Sequence, residues 1–139
     1  MSLYEEDLAN RLNKIHPDAS RCLATLGSLD PEVADRLVIE LLKTACRSQN
    51  AAAITAGRNS LSKAPRTWLE TPRLFDLAKR AIDLEDPWEY RRMLEVISEL
   101  KIGGALRQQW IEFGWNSPNR EIVEAANDFA DHRPQEDRA

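Results

Sequence analysis

The stretch Asp86-Pro87-Trp88-Glu89-Tyr90-Arg91-Arg92-Met93-Leu94, running on through Ile97 to Leu100, decides the fold. An aspartate ahead of a proline is a helix start. The missing N–H of proline has no partner at the first helical position in any case, and the aspartate can accept from the free amides that follow. Glu89, three residues after Asp86, completes the pattern of a capping box. Met93, Leu94, Ile97 and Leu100 then recur at helical spacing and give the segment one apolar face.

Outward from this stretch the same punctuation recurs. Asp30-Pro31, Thr71-Pro72 and Ser117-Pro118 each precede an apolar stripe. The stripes are Val33, Leu37, Val38, Leu41, Leu42 and Ala45; then Leu74, Phe75, Ala78, Ala81 and Ile82; then Ile122, Val123, Ala126, Phe129 and Ala130. No segment alternates with period two, so the sequence predicts an all-α chain. Helices are expected over 3–15, 17–27, 31–47, 50–63, 72–83, 87–101, 104–115 and 118–131, with a loop or short turn around Pro65-Arg66-Thr67-Trp68. Gly27 and the pair Gly103-Gly104 fall where helices should end or turn.

A chain of 139 residues is the size of one domain, expected over 1–132 with a loose tail over 133–139 that has no apolar anchor. Its 42% hydrophobic and 30% charged residues are the balance of an ordered globular protein. Cys22 and Cys46 fall on apolar positions and are expected as free thiols in a reducing compartment. The acidic start, Glu5-Glu6-Asp7, is unlike a signal peptide, and no apolar run has the ~20 residues of a membrane span, so a cytoplasmic location is expected.

Setting aside helix 3–15, the helices pair as 17–27 with 31–47, 50–63 with 72–83 and 87–101 with 104–115, and 118–131 opens a fourth unit. The first members start near 17, 50, 87 and 118, in steps of 33, 37 and 31. Spacing in this range is typical of helical solenoids. The segments Asp86-Pro87-Trp88-Glu89-Tyr90-Arg91-Arg92, Gly103-Gly104-Ala105-Leu106 and Ser117-Pro118-Asn119-Arg120-Glu121-Ile122-Val123-Glu124-Ala125-Ala126 resemble HEAT-like (armadillo-type) repeat proteins, and Asp30-Pro31-Glu32-Val33 echoes the same motif. The resemblance implies a right-handed stack of antiparallel helix pairs, a short α-solenoid of about seven to eight helices. It also implies an interaction scaffold whose second (B) helices line the inner surface. The alternative is a non-repeating helical bundle.

Motifs for chemistry are scarce. There is no Cys-x-x-Cys, His-Glu-x-x-His or Glu-x-x-His, and no Gly-rich phosphate loop, so neither a metal nor another cofactor is expected. Asp128 and His132 could share a helix face but lack a second cluster. Ser60-Leu61-Ser62-Lys63 has the Ser-x-x-Lys spacing of acyl-transfer enzymes without their companion motifs. The chain is expected not to be an enzyme.

Charge is more informative. The net charge is -4, yet it divides as -4 over 1–42, +4 over 43–107 and -4 over 108–139. Opposite the apolar stripes of the B helices lie Arg36, Lys43, Arg47, Arg73, Lys79, Arg80 and Arg107. Trp68 and Trp88 are the tryptophans expected to be partly exposed, whereas Trp110 is expected in the core, and Trp and Arg are enriched in binding hot spots. These residues predict a mildly basic surface for another protein with an acidic or mixed-charge face. Nucleic-acid binding is the alternative, disfavoured by the overall negative charge. The acidic polar face of the last helix, Glu121, Glu124, Asp128 and Asp131, reads as a cap, and helix 3–15, amphipathic through Tyr4, Leu8, Leu12 and Ile15, as the other cap or a homodimer contact.

Overall fold

A computed structural model describes residues 2–131. His132 and the expected tail over 133–139 lie outside the described residues. All the regular structure among those residues is helical. The α-helices are α1 Leu3–Ile15, α2 Pro31–Arg47, α3 Ala51–Leu61, α4 Arg66–Leu69, α5 Pro72–Ala81, α6 Pro87–Glu99, α7 Gly104–Trp115 and α8 Arg120–Asp131. Contacts divide the chain into two compact units, Met1–Ile82 and Asp83–Ala139. No described helix is long and apolar enough to cross a membrane.

The helix starts follow from local chemistry. Asp30 accepts from Glu32 N–H (2.9 Å) and Asp86 from the amides of Trp88 and Glu89 (2.9 and 3.1 Å). Glu89 reaches back to the N–H of Asp83 (3.2 Å), ahead of the cap itself. The two other proline starts differ from expectation. Thr71 makes no side-chain cap; its hydroxyl donates to the carbonyl of Trp68 (3.0 Å). At Ser117-Pro118 the cap moves on to Asn119, which accepts from Glu121 N–H (2.9 Å), so α8 begins two residues past the proline.

One expected element is corrected. The segment 17–27 is not an α-helix but a pair of 3-10 turns, Ala19–Arg21 and Leu23–Ser28. Pro17 holds His16 extended, Asp18 is left-handed (φ 59°), and the Thr25 and Ser28 hydroxyls take the carbonyls of Cys22 and Thr25 that a helix would need. Residues 66–69, expected as a loop or short turn, form the single turn α4. The α6 terminus also departs from expectation. Lys101, not a glycine, takes the left-handed position (φ 57°), and the N–H of Ile102 bonds back to Ile97 (3.1 Å) while that of Lys101 bonds to Ser98 (3.0 Å). This is a Schellman closure, with Ile102 and Ile97 both buried.

In the first unit α2 is central. Its Ala34, Leu37, Val38, Leu41, Leu42 and Ala45 are all buried, and it packs against α1, α3 and α5. Its most extensive partner is α3, and a glycine permits that. A Cβ on Gly57 would lie 2.8 Å from the backbone nitrogen of Ala45 and 3.2 Å from its Cβ. The expected pairing of 17–27 with 31–47 is thereby replaced, because the α-helices that flank α2 are α1, α3 and α5.

The second unit repeats the device. There α8 packs against both α6 and α7, most extensively α7. A Cβ on Gly114 of α7 would meet the Tyr90 hydroxyl at 2.2 Å and Ala126 Cβ of α8 at 2.6 Å. Into the space left by Gly114, α6 inserts Tyr90, which is fully buried and donates to the Trp110 carbonyl (2.7 Å). Burial pushes the Tyr90 phenol far above its ordinary value, outweighing the lowering effect of the Gly114 backbone beside it.

Gly57→Ala and Gly114→Ala are each expected to lower unfolding stability by about 1–3 kcal/mol, because overpacking exceeds the ~1 kcal/mol that alanine gains in a helix. Gly27→Ala, where nothing lies within 4 Å of the added carbon, is the neutral control. Equal urea midpoints for all three variants and the parent would refute the close-packing account. The Tyr90 shift also sets a pH dependence. Its folded value lies above the ~10 of the unfolded chain, so the neutral phenol favours the fold; stability is unaffected by Tyr90 below pH ~10 and falls above it. In a Tyr4→Phe background, where Tyr90 is the sole tyrosine, phenolate absorbance should appear together with unfolding rather than before it.

Candidate functional site

The expected surface residues fall into four environments. Arg36, Lys43 and Arg47 are exposed on α2, at spacings of 7 and 4 that place them on one helical face together with Glu40. Arg36 and Lys43 have no ion-pair partner among the described residues. Glu40, the acid on this face, and Asp35 beside it are both engaged from other helices. Asp35, whose side chain is 15% exposed, receives both Nε and Nη2 of Arg73 on α5 (2.7 Å each). Glu40 receives Nη1 of Arg11 on α1, which also contacts Thr44 Oγ1 (3.1 Å), while its Nε pairs with Asp7 (3.0 Å). The outcome is a cationic stripe whose nearest carboxylates already face other guanidinium groups.

Beside it is a shallow basin of about 490 Å³, walled by Tyr4, Asp7 and Arg11 of α1 and by Lys43, Thr44 and Arg47 of α2. Tyr4 is 39% exposed, and its hydroxyl accepts from Asn50 Nδ2 (2.9 Å). Asn50 is itself the cap of α3, accepting from Ala52 N–H (2.8 Å), so one side chain fixes both a helix start and an exposed ring. Tyr4 and Arg11 are absent from the set expected from sequence. Tyr4 was expected on the apolar stripe of α1 with Leu8 and Leu12; it lies at the edge of that stripe. The approach of Arg11 to Glu40, 29 residues on, leaves no local signal.

The remaining expected residues do not join this face. Arg73 is taken by Asp35, and Lys79 stands 5.1 Å over the Phe75 ring. Arg80 is exposed near the end of α5, and Trp68 is half-buried on α4. Trp88 is 70% exposed at the start of α6, with the Arg92 guanidinium 5.7 Å from its ring. Trp110 is buried, in line with expectation.

Arg107 is a correction. It is 4% exposed, in the core of the second unit. Nη2 donates to the Phe129 carbonyl (2.8 Å), and the guanidinium stacks 3.8 Å from the Phe129 ring centroid. The sequence places the apolar stripe of α7 through Leu106 and Trp110, but the buried stripe is Arg107, Trp110, Ile111 and Gly114. Those positions have the spacing i, i+3, i+4, i+7; an arginine and a glycine at its two ends hide it from a search for apolar residues.

Ser60 and Lys63 border a second cavity of about 530 Å³ above Leu8, Leu12 and Leu23. α3 ends at Leu61, so Lys63 lies past the helix rather than on its face with Ser60. Among the described residues no cluster of three His, Cys, Asp or Glu side chains could hold a metal ion. The Asp128–His132 pair lies partly outside the described residues. No family model, curated protein or solved structure matches the chain.

Arg107→Ala is expected to cost about 2–4 kcal/mol of stability, from the lost charge-assisted hydrogen bond and the desolvated cation–π contact. A thermal melt indistinguishable from the parent would put Arg107 back among the surface residues.

Proposed function

We propose that this chain is a protein-interaction module that uses the Arg36–Lys43–Arg47 face of α2 to hold an acidic or mixed-charge surface. The observation that carries this is the engagement of Glu40, the acid of this face, by Arg11, beside exposed Arg36 and Lys43 that have no ion-pair partner among the described residues, although the chain as a whole is negative. Exposed cations next to an exposed tyrosine suit a polar interface in which charge steers the encounter and the ring supplies contact area.

Within this proposal each unit is a short run of stacked helix pairs of the HEAT-like kind, in the right-handed sense that the family has. What supports the stacking is contact between next-but-one helices: α1 with α3 and, passing over the single turn α4, α2 with α5 in the first unit, and α6 with α8 in the second. Two rows of helices, each touching its own row, produce that pattern. In this register α1, rather than 17–27, is the partner of α2. The B helices remain α2, α5 and α7, and the cationic stripe lies on the first of them.

The test is fluorescence anisotropy with peptides graded from acidic to neutral to basic, alongside single- and double-stranded oligonucleotides. Acidic peptides should bind best, and Lys43→Glu/Arg47→Glu should weaken them at least tenfold with an unchanged melting temperature. Equal binding of all peptides, or an unaltered affinity in the variant, would dismiss this surface. Retardation of oligonucleotides without peptide binding would replace the proposal with nucleic-acid recognition.

A further inference from the structure

The two compact units carry opposite charge. Met1–Ile82 has 12 Lys/Arg against 10 Asp/Glu, net +2, and Asp83–Ala139 has 7 against 13, net -6. The negative charge has a face of its own on α8. Glu121, Glu124, Asp128 and Asp131 are exposed at spacings of 3, 4 and 3, one side of the helix. Arg91 pairs with Asp128 (3.1 Å), and Arg120 approaches Glu124 at 3.6 Å with both side chains largely in solvent. Glu121 has no ion-pair partner among the described residues. Next to this face Trp88, with Pro87 and Arg91, forms a groove of about 360 Å³ against Glu121 and Glu124.

We infer that the acidic partner of the α2 face is a second copy of this chain, which presents its α8 face and Trp88 to the Arg36–Lys43–Arg47 stripe and Tyr4 in a head-to-tail contact. The inference rests on the function proposed above and names its partner. The two stripes match in length as well as sign. Arg36 to Arg47 covers 11 residue steps and Glu121 to Asp131 covers 10, about 16 and 15 Å at the helical rise. Each stripe has an exposed aromatic ring at its edge, Tyr4 on one and Trp88 on the other. Two different patches make a heterologous contact, so every copy has one face of each kind to offer, and association continues into a ring or a chain unless one face is blocked. A contact made largely of exposed charge is sensitive to salt.

Sedimentation velocity of the full chain tests this. Between about 20 and 500 mM salt the Debye length falls from roughly 20 to roughly 4 Å. The average mass should rise with protein concentration at low salt and return to that of the monomer at high salt. Lys43→Glu/Arg47→Glu and Glu121→Lys/Glu124→Lys should each be monomeric alone, with melting temperatures like the parent. Mixed in equal amounts they should associate again, because each retains the face that the other lacks and the two reversed faces are once more opposite in charge. The inference is overturned if the parent stays monomeric at low salt up to about 1 mM, the weak end of specific association. It is also overturned if both variants associate as the parent does. A monomeric parent that still holds acidic peptides through Lys43 and Arg47 would remove the self-contact and leave the proposed function standing; a monomeric parent that holds none would remove both.

Discussion

In both units the tightest packing depends on a residue without a side chain. Gly57 lets α3 come so close to α2 that a single added carbon would stand 2.8 Å from a backbone nitrogen, and Gly114 does the same for α7 against α8 and Tyr90. Cores are packed about as densely as organic crystals, so neither helix pair can absorb an extra methyl without moving. Much else follows from these contacts. In the second unit the phenol of Tyr90 has a place only because position 114 is empty, and its hydroxyl finds the Trp110 carbonyl there. In the first, α3 seated on α2 sets Asn50 where it can both cap α3 and hold Tyr4.

Arg107 shows the same economy applied to charge. An arginine on the buried stripe of α7 would be costly if left alone in a core. It is accommodated by a single residue of α8. The Phe129 carbonyl and ring meet the guanidinium from that one residue. A hydrophobic side chain could fill the volume but would leave the carbonyl without this donor. The residue thus ties α7 to the end of α8 and is part of the architecture.

At the α2 face the decisive effect is competition between arginines for a few acids. Glu40, four residues after Arg36 and three before Lys43, could have neutralised both by neighbouring pairs along the helix, worth only a few tenths of a kcal/mol each, whereas Asp35 is adjacent to Arg36 and lies off this stripe. Both acids are bound from outside the helix, Asp35 in a two-point fork from Arg73 and Glu40 by an arginine also fixed by Asp7 and Thr44. The fork geometry of arginine favours such pairs. Arg36 and Lys43 stay exposed on this face without an ion-pair partner among the described residues.

The helical content, the proline-marked starts and the buried stripe of α2 were legible in the sequence, because caps and a 3.6-residue apolar period are local properties that one segment displays by itself. Asp30 and Asp86 cap where they were expected, and Leu37, Leu41 and Ala45 are buried. The cationic residues of α2 were legible for the same reason. The engagement of the acids beside them was not, since Arg11 and Glu40 are 29 residues apart and Asp35 and Arg73 are 38 apart. Nor was the burial of Arg107, since its cost is offset by a carbonyl 22 residues away. The turns at 17–27 show the opposite failure: apolar spacing suggested a helix, and Pro17, Thr25 and Ser28 outweighed it. By itself the sequence determined which segments are helices and which side of most of them is apolar. Only the tertiary structure decided which helices meet most closely and which charges remain in solvent, because both depend on groups brought together from distant parts of the chain.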